Sequence, residues 1–298
     1  MENTQEKTAE KFIRALISSS GSLRETDTEV KVAGAANISG GDIPKQLRIA
    51  GSGKIEGDLR CYGLRCSGSL SSVGSITSQG YVKSSGSFNA RGSLQGNADA
   101  KFSGSAKIGE NLTILGSVKS SGSFNVGGQL DLGNNAKFTG SARIVGDSSI
   151  QGFTKSTGSL EVNSNLQAVS GLSSLGFLGI DGNLLSQRNI SIFGGSKVSG
   201  NMVAENIDVG SSRWYSFLKM QLFRPFRHPY EIKGNVFAKN KVNLTKTIID
   251  GDVKGFDVKI GRKTEVGGQV FFVNSIKVKR TARLSNNPIQ VKPEELKL

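Results

Sequence analysis

Glycine recurs at multiples of six residues between Cys66 and Met202. Of the twenty-three positions spaced six apart from Gly68 to Gly200, seventeen are Gly. This spacing lies inside an eighteen-residue repeat, since the string Val82–Phe88 recurs unchanged as Val118–Phe124, two repeats later. A Gly-rich repeat of this length is typical of a solenoid in which each coil is one repeat and the coils stack.

Residue polarity alternates with a period of two through the same stretch. Even positions are almost all apolar, Gly, Ala or Ser, whereas odd positions as far as Asn165 are mostly polar. Such alternation indicates strands with one buried face. We therefore predict an all-β fold, a single-stranded parallel β-helix with triangular coils of about 17–18 residues, in which Gly lies where the backbone turns or approaches another coil closely.

Large and small residues are paired at the predicted inward positions. Each of four successive coils combines one Phe with one small residue, and the Phe changes sides from coil to coil: Phe88 with Ser84, Phe102 with Ala106, Phe124 with Ser120, and Phe138 with Ala142. The pattern predicts a core packed at nearly constant volume per coil.

Interruptions of the repeat divide the chain into five segments. The polarity alternation shifts once near Gly63, which we attribute to a coil that is one residue shorter, through a tight corner or a bulge. After an aromatic and basic stretch, the repeats return with Gly234, Gly251 and Gly268. The predicted segments are an N-terminal tail with a short amphipathic helix (1–37), the main β-helix (38–210), an aromatic and basic insertion (211–230), C-terminal β-helix coils (231–284) and a polar tail (285–298).

The charge distribution predicts an anionic partner. The formal net charge is +14, which attracts acidic lipid, nucleic acid or cell-wall polymer alike. Besides further copies of the chain, the expected partners are an anionic membrane surface or cell-envelope proteins. Six cations recur every eighteen residues and are called the basic ladder here: Arg65, Lys83, Lys101, Lys119, Lys137 and Lys155. The basic ladder is either a track for an anionic polymer or bilayer, or a row of corner lysines that block sideways association of sheets.

Two further apolar clusters are candidate contacts with a membrane or a partner protein. Within Ala9–Ile17, one helical face carries Phe12, Ile13, Leu16 and Ile17. The insertion contains Trp214, Phe217, Phe223 and Phe226 among basic residues. Either cluster is suited to a lipid interface; alternatively, the helix docks on the solenoid and the insertion covers the outward apolar residues Leu175, Phe177 and Phe193.

The residues needed for most enzyme chemistries do not occur in recognisable patterns. Cys61 and Cys66 are both at inward positions and indicate core packing, and the single histidine, His228, lies in the insertion. We find no phosphate-binding loop, metal-ligand cluster or nucleophile triad. We therefore predict a protein that is not an enzyme, without cofactor, metal site or small-molecule substrate. Without a signal-peptide pattern, we expect it in the cytoplasm or peripherally on the inner face of the cell membrane.

The segment Leu47–Leu59, followed by Cys61 and by Arg65–Ser69, resembles the bactofilins, a family of polymer-forming bacterial cytoskeletal proteins. Gly251–Val253 with Val258–Ile260 is similar to the repeat of the same family. The resemblance implies a right-handed parallel β-helix that assembles end to end without nucleotide into filaments, often attached to a membrane, and acts as a scaffold. This chain departs from the family in its roughly doubled length and in its insertion.

The predicted function is a self-assembling scaffold that organises other proteins in cell shape, envelope or motility processes. The backbone groups of a terminal coil lack partners and recruit another strand unless they are covered. The predicted contact residues are Leu47 and Ile49 at one end, and Phe271, Phe272 and Ile276 at the other. The alternatives are a hexapeptide-repeat-like acyltransferase and a β-helix adaptor or adhesin. Against the acyltransferase, this chain has no His in its regular coils to serve as general base.

Overall fold

The structure is a computed structural model that describes residues 15–210 and 230–296. It is all-β, with parallel strands stacked as a β-solenoid of about 14 turns, which confirms the predicted fold class. The chain forms two compact units, Met1–Val145 and Gly146–Leu298.

The described residues of the first unit form eighteen strands. Their bounds are β1 Ile17–Ser19, β2 Ser22–Glu25, β3 Glu29–Ile38, β4 Gly41–Ile55, β5 Leu59–Cys66, β6 Ser69–Ser72, β7 Ile76–Ser78, β8 Val82–Ser84, β9 Phe88–Ala90, β10 Leu94–Gly96, β11 Ala100–Phe102, β12 Ala106–Ile108, β13 Leu112–Ile114, β14 Val118–Ser120, β15 Phe124–Val126, β16 Leu130–Leu132, β17 Ala136–Phe138 and β18 Ala142–Ile144. From β7 to β15 each strand pairs in parallel with the third strand after it, so one coil has three strands. Residues eighteen apart are register partners, as the repeat predicted.

The core of the first unit contains a zigzag of four aromatic rings. Phe88 and Phe124 belong to one column and Phe102 and Phe138 to the neighbouring one, and all four are at most 1% exposed. Successive ring centroids are 5.4, 5.7 and 5.5 Å apart. Ala106 separates the two rings of its column, since it is the register partner of both Phe88 and Phe124. The predicted alternation of large and small residues is therefore confirmed.

Close approach between coils explains why Gly recurs at the corners. A Cβ placed on Gly104 would overlap the carbonyl oxygen of Gly86, and one on Gly122 would overlap the carbonyl oxygen of Gly104. Neither residue has a positive φ. At these corners Gly is required by the distance between coils and not by backbone conformation.

The N-terminal boundary differs from the prediction. Strand β3 pairs in parallel with β4 from Glu29 to Ile38, and β1 and β2 pair antiparallel with β3. The predicted tail 1–37 is therefore wrong for its second half. Ile17 is in a strand and buried, opposite Ile38, so the predicted helix does not extend to it. Pairing with β3 overrides the local helical periodicity. β3 itself was missed because it lacks the six-residue Gly spacing, although its Gly34 lies seventeen residues before its register partner Gly51.

The predicted short coil is present at the start of the solenoid. Strand β4 pairs with β5 so that Ile43 faces Cys61 but Gln46 faces Gly63, with a register irregularity between Ile43 and Gln46. Further along, Ser52 faces Ser69, a separation of seventeen residues. The change of polarity alternation near Gly63 follows from this irregularity.

Residues 146–210 and 230–296 of the second unit also form eighteen strands. Their bounds are β19 Ser148–Ile150, β20 Thr154–Ser156, β21 Leu160–Val162, β22 Leu166–Ala168, β23 Leu172–Ser174, β24 Leu178–Ile180, β25 Leu184–Leu185, β26 Asn189–Ile192, β27 Ser196–Val198, β28 Met202–Val209, β29 Tyr230–Ile232, β30 Val236–Leu244, β31 Thr247–Ile249, β32 Val253–Ile260, β33 Glu265–Val266, β34 Val270–Val278, β35 Arg283–Leu284 and β36 Ile289–Gln290. Pro293–Glu295 form a 3-10 turn.

A ladder of amide and carboxylate side chains connects the coils of the second unit. The backbone N–H groups of Asn165, Asn183 and Asn201 donate to the side-chain oxygen eighteen residues earlier, at 3.1, 2.9 and 2.8 Å respectively. Asn235 donates in the same way to Asn201 at 2.9 Å. The coil geometry therefore resumes after the insertion, and each corner N–H of this ladder is satisfied by a side chain.

The C-terminal boundary also differs from the prediction. The predicted polar tail 285–298 contains β36, whose Ile289 and Gln290 pair in parallel with Phe271 and Phe272 of β34. The solenoid thus extends beyond Leu284.

Candidate functional site

The basic ladder of the first unit is a continuous column in register. Arg65 is the partner of Lys83, Lys83 of Lys101, Lys101 of Lys119, and Lys119 of Lys137. Neighbouring parallel strands are about 4.8 Å apart, so five cations recur at that interval. The sixth predicted member, Lys155, lies in the second unit with Ser173 as its partner.

The ladder lysines stand at strand centres and are not corner residues. Each lysine is the middle residue of a three-residue strand whose two flanking residues are buried. Lys101, Lys119 and Lys137 are exposed, and none of the five cations forms a salt bridge with another described residue. The corner interpretation is therefore wrong, and the column presents unpaired positive charge on a face of the coil.

A depression accompanies the N-terminal part of the ladder. It has a volume of about 280 Å³ and is lined by Arg65, Lys83, Lys101 and Lys119 together with Tyr81, Val82, Asp99, Ala100 and Ser117. The Arg65 guanidinium lies 5.5 Å from the Tyr81 ring centroid, and its Nη2 donates to the Tyr81 hydroxyl at 3.4 Å. Because one Asp99 carboxylate oxygen accepts the Ser117 backbone N–H at 2.7 Å, this acidic residue is tied to the corner of the next coil.

A second depression begins on the other side of Tyr81. Its volume is about 360 Å³, and its lining comprises Asp27, Thr28, Pro44, Gln46, Tyr62, Gly63, Gly80 and Tyr81. Tyr62 is 59% and Tyr81 39% exposed. Gly80 has no side chain, and a Cβ there would lie 3.7 Å from the Tyr62 ring. The Gln46 side-chain amide donates to the Tyr81 hydroxyl.

The predicted N-terminal end contacts are not at an end. Leu47 is 0% and Ile49 1% exposed, and both lie in β4 between β3 and β5. Strand β3 covers them with Val30 and Val32. Leu47 and Ile49 are therefore core residues, and their assignment as polymerisation contacts is wrong.

The last coil of the second unit carries the other predicted end residues. Phe271, Phe272 and Ile276 lie on β34 and are half-buried. The Lys254 ammonium lies 5.1 Å from the Phe271 ring centroid and 5.1 Å from that of Phe237. Phe271 is thus packed on an outward face by a cation–π contact.

Beyond Phe272, the outer edge of β34 has no partner strand within the described parts of the chain. Two inward columns of side chains end there. Val258 is 2% and Ile260 0% exposed. Their register partners on the last coil are less covered, since Ile276 is half-buried and Val278 is 42% exposed. The same two columns are covered in one coil and open in the next, because no strand among the described residues pairs with β34 beyond Phe272.

Several predicted contact residues lie outside the described residues, namely Phe12, Ile13, Trp214, Phe217, Phe223 and Phe226. Of the N-terminal cluster, Leu16 is half-buried and Ile17 buried. Close to the insertion, the Tyr230 hydroxyl donates to the Phe193 carbonyl oxygen at 2.7 Å. Covering of Leu175, Phe177 and Phe193 by the insertion stays a prediction.

The two thiols are in the core. Cys61 and Cys66 are free and each 1% exposed. Burial raises the pKa of Cys61 to about 12, and burial also raises the pKa of Cys66. Within residues 15–210 and 230–296 no group of three or more His, Cys, Asp and Glu side chains could hold a metal ion, and no helix there has the length and apolar character to cross a bilayer.

Sequence reasoning missed the two tyrosines and the amide ladder. Tyr62 and Tyr81 are large rings at outward positions where the neighbouring coils mostly have small residues, and that contrast was a usable signal. The eighteen-residue spacing of Asp147, Asn165 and Asn183 was equally visible.

The fold and these surfaces define the chain as a β-solenoid protein with an exposed basic column and, within the described residues, a last coil whose edge is partly open. Compared with known proteins, it matches no family model, no curated protein and no solved structure.

Proposed function

We propose that the protein is a self-assembling scaffold whose copies join end to end through the last coil. The observation that carries this proposal is the open edge of β34, where the apolar columns ending in Ile276 and Val278 reach solvent. An unpaired strand edge recruits another strand, and a second copy would cover the exposed columns. The bactofilin resemblance points the same way; membership of that family stays a hypothesis.

The charges of the two ends favour a head-to-tail contact. Residues 271–296 contain five basic and two acidic side chains, whereas residues 15–38 contain two basic and three acidic ones. Two C-terminal coils would repel each other, whereas the N-terminal strands carry no comparable excess of positive charge, since Glu25 and Glu29 are paired with Lys45 and Arg48. Such a contact does not close on itself and therefore builds a filament.

The test is the assembly state of the purified full chain. Light scattering and negative-stain microscopy should show concentration-dependent filaments that shorten as salt is raised. The double variant Ile276→Lys with Val278→Lys should remain monomeric, because it adds charge to the open columns. The matched control is Ile248→Lys with Phe256→Lys, whose side chains are 39% and 40% exposed in the same unit, and this variant should assemble like the natural chain.

Three outcomes would contradict the proposal. A natural chain that stays monomeric at high concentration removes the scaffold function. Equal effects of the two double variants remove the role of the last coil. Discrete pairs in place of filaments remove the head-to-tail arrangement.

A role without catalysis is part of this proposal. The described depressions are lined by Tyr, Gln, Asp and basic residues in open surface, and the resemblance implies a scaffold. Membrane attachment through Phe12 and Ile13 or through the insertion is an additional hypothesis, tested by deleting residues 1–14 and measuring sedimentation with anionic vesicles.

A further inference from the structure

The basic ladder is a line of uncompensated charge with a defined length. Its five first-unit members are register partners in consecutive coils, and no described carboxylate forms an ion pair with any of them. Four intervals of about 4.8 Å make a track of roughly 19 Å. Like charges at this spacing repel one another, and a polyanion lying along the track relieves that repulsion.

Tyr81 connects the ladder to an aromatic depression. It lines both depressions, so the surface of about 280 Å³ beside the cations meets the one of about 360 Å³ that contains Tyr62. The Leu64 backbone N–H donates to the Tyr81 carbonyl at 3.0 Å, and the Gly80 N–H donates to the Tyr62 carbonyl. The two tyrosines therefore lie in neighbouring coils. The larger depression has a volume near the lower limit for small-molecule sites, about 300 Å³.

We propose that this joined surface binds single-stranded nucleic acid, with the phosphates along the ladder and a base against Tyr62 and Tyr81. Proteins that bind single strands combine a basic track with exposed aromatic rings on which bases stack. Asp27 and Gln46 line the aromatic depression. The Asp27 carboxylate offers a hydrogen-bond acceptor to a base edge, and the Gln46 amide offers both a donor and an acceptor. An acidic acceptor suits the exocyclic amino group of cytosine.

The shape of the surface favours a flexible strand over a bilayer. The rings line depressions together with Asp27 and Asp99, where a plane of lipid phosphates would meet carboxylates. A single strand can turn its bases into the depressions while its phosphates remain on the lysines. This binding surface is wholly in the first unit and does not depend on assembly through the last coil.

The experiment measures binding of fluorescein-labelled dC12 to the full chain by anisotropy at several salt concentrations. Lys83→Gln, Lys101→Gln and Lys119→Gln together should weaken binding at least tenfold. They should also reduce the salt slope, which is the steepness of the fall of log affinity with log salt concentration, by about 2. Each phosphate that a lysine no longer neutralises lowers this slope by about 0.7. The matched control is Arg91→Gln, Lys107→Gln and Arg143→Gln, three exposed cations of the same unit outside the ladder. It should change the affinity less than twofold.

A second variant tests the aromatic part separately. Tyr62→Ala should weaken dC12 binding about fivefold or more, because stacking contributes about 1–3 kcal/mol per base and 1.4 kcal/mol corresponds to tenfold. Its salt slope should remain that of the natural chain. Since Tyr62 is largely exposed, circular dichroism should show an intact fold.

Each other result overturns the inference. Absence of dC12 binding removes it. Equal losses in the two triple variants show attraction by net charge alone. Ladder-dependent binding to phosphatidylserine vesicles without dC12 binding assigns the surface to a membrane. Binding of inorganic polyphosphate as tight as dC12, with no effect of Tyr62→Ala, shows that no base is recognised.

Discussion

Removing one ring from the aromatic zigzag should destabilise the first unit strongly. Phe124 is 0% exposed and contacts Phe102 and Phe138, with ring centroids 5.7 and 5.5 Å away. Its register partners in the two adjacent coils are Ala106 and Ala142. Phe124→Ala would therefore leave three consecutive alanines in one column, so no side chain of that column could fill the space.

The expected cost is about 4 kcal/mol. Phe→Ala changes in cores cost about 3–5 kcal/mol, with larger values where the site cannot collapse. Each aromatic pair that is removed adds about 0.5–1.5 kcal/mol beyond burial. Because a solenoid can unfold in parts, the assay is hydrogen exchange of peptides that cover residues 100–126. A loss of about 4 kcal/mol corresponds to roughly a thousandfold faster exchange through opening.

The control for this prediction is Phe256→Ala, which removes a ring that is 40% exposed and should change exchange little. The reverse perturbation is Ala106→Phe, which forces a ring between Phe88 and Phe124. Overpacking of this kind costs about 1–3 kcal/mol. A cost below about 1 kcal/mol for Phe124→Ala, or an Ala106→Phe variant as stable as the natural chain, would refute the alternating packing.

Two predictions concern titratable groups. Cys61 and Cys66 should not react with a thiol reagent at pH 8 in the folded chain and should react fully in denaturant, because burial raises both thiol pKa values; rapid labelling of the folded chain would contradict their core position. Hydrogen bonds from the Ser164 hydroxyl and from Asn165 lower the pKa of Asp147, so its contribution to stability is present above its ordinary pKa and is lost as pH falls through the folded-state value. Asp147→Asn keeps an acceptor for the Asn165 N–H, just as Asn165 provides one for Asn183. In urea titrations this variant should lose less stability between pH 7 and pH 3 than the natural chain. An equal loss in both proteins would assign the acid sensitivity to other groups.

Much of the regular region was predictable because its physics is local and repeated. The period of two determines which side chains point inward, and the period of eighteen determines which of them stack, so the columns of Lys83 and Phe88 followed from counting. The ends were predicted less well. Strand β3 lacks the six-residue Gly spacing, although Gly34 lies seventeen residues before Gly51. Its pairing with β4 identifies it as part of a coil.

The candidate surfaces, too, were only partly predictable from the sequence. The charge column was visible in the sequence, whereas its place at strand centres and its connection with Tyr62 and Tyr81 depend on neighbouring coils. Residues 62 and 81 are nineteen apart, so the repeat alone assigns them to different columns. Leu47 and Ile49 were misassigned for a related reason, since covering by β3 is a property of the end and not of the repeat.

The sequence by itself determined the solenoid, its coil length and the inward columns, because a constant repeat makes every coil a neighbour of an equivalent coil. Only the tertiary structure decided which edges are covered, which cations remain unpaired and which rings meet. Those properties depend on what lies beside a residue where the repeat stops or bulges, and no periodicity specifies that neighbour.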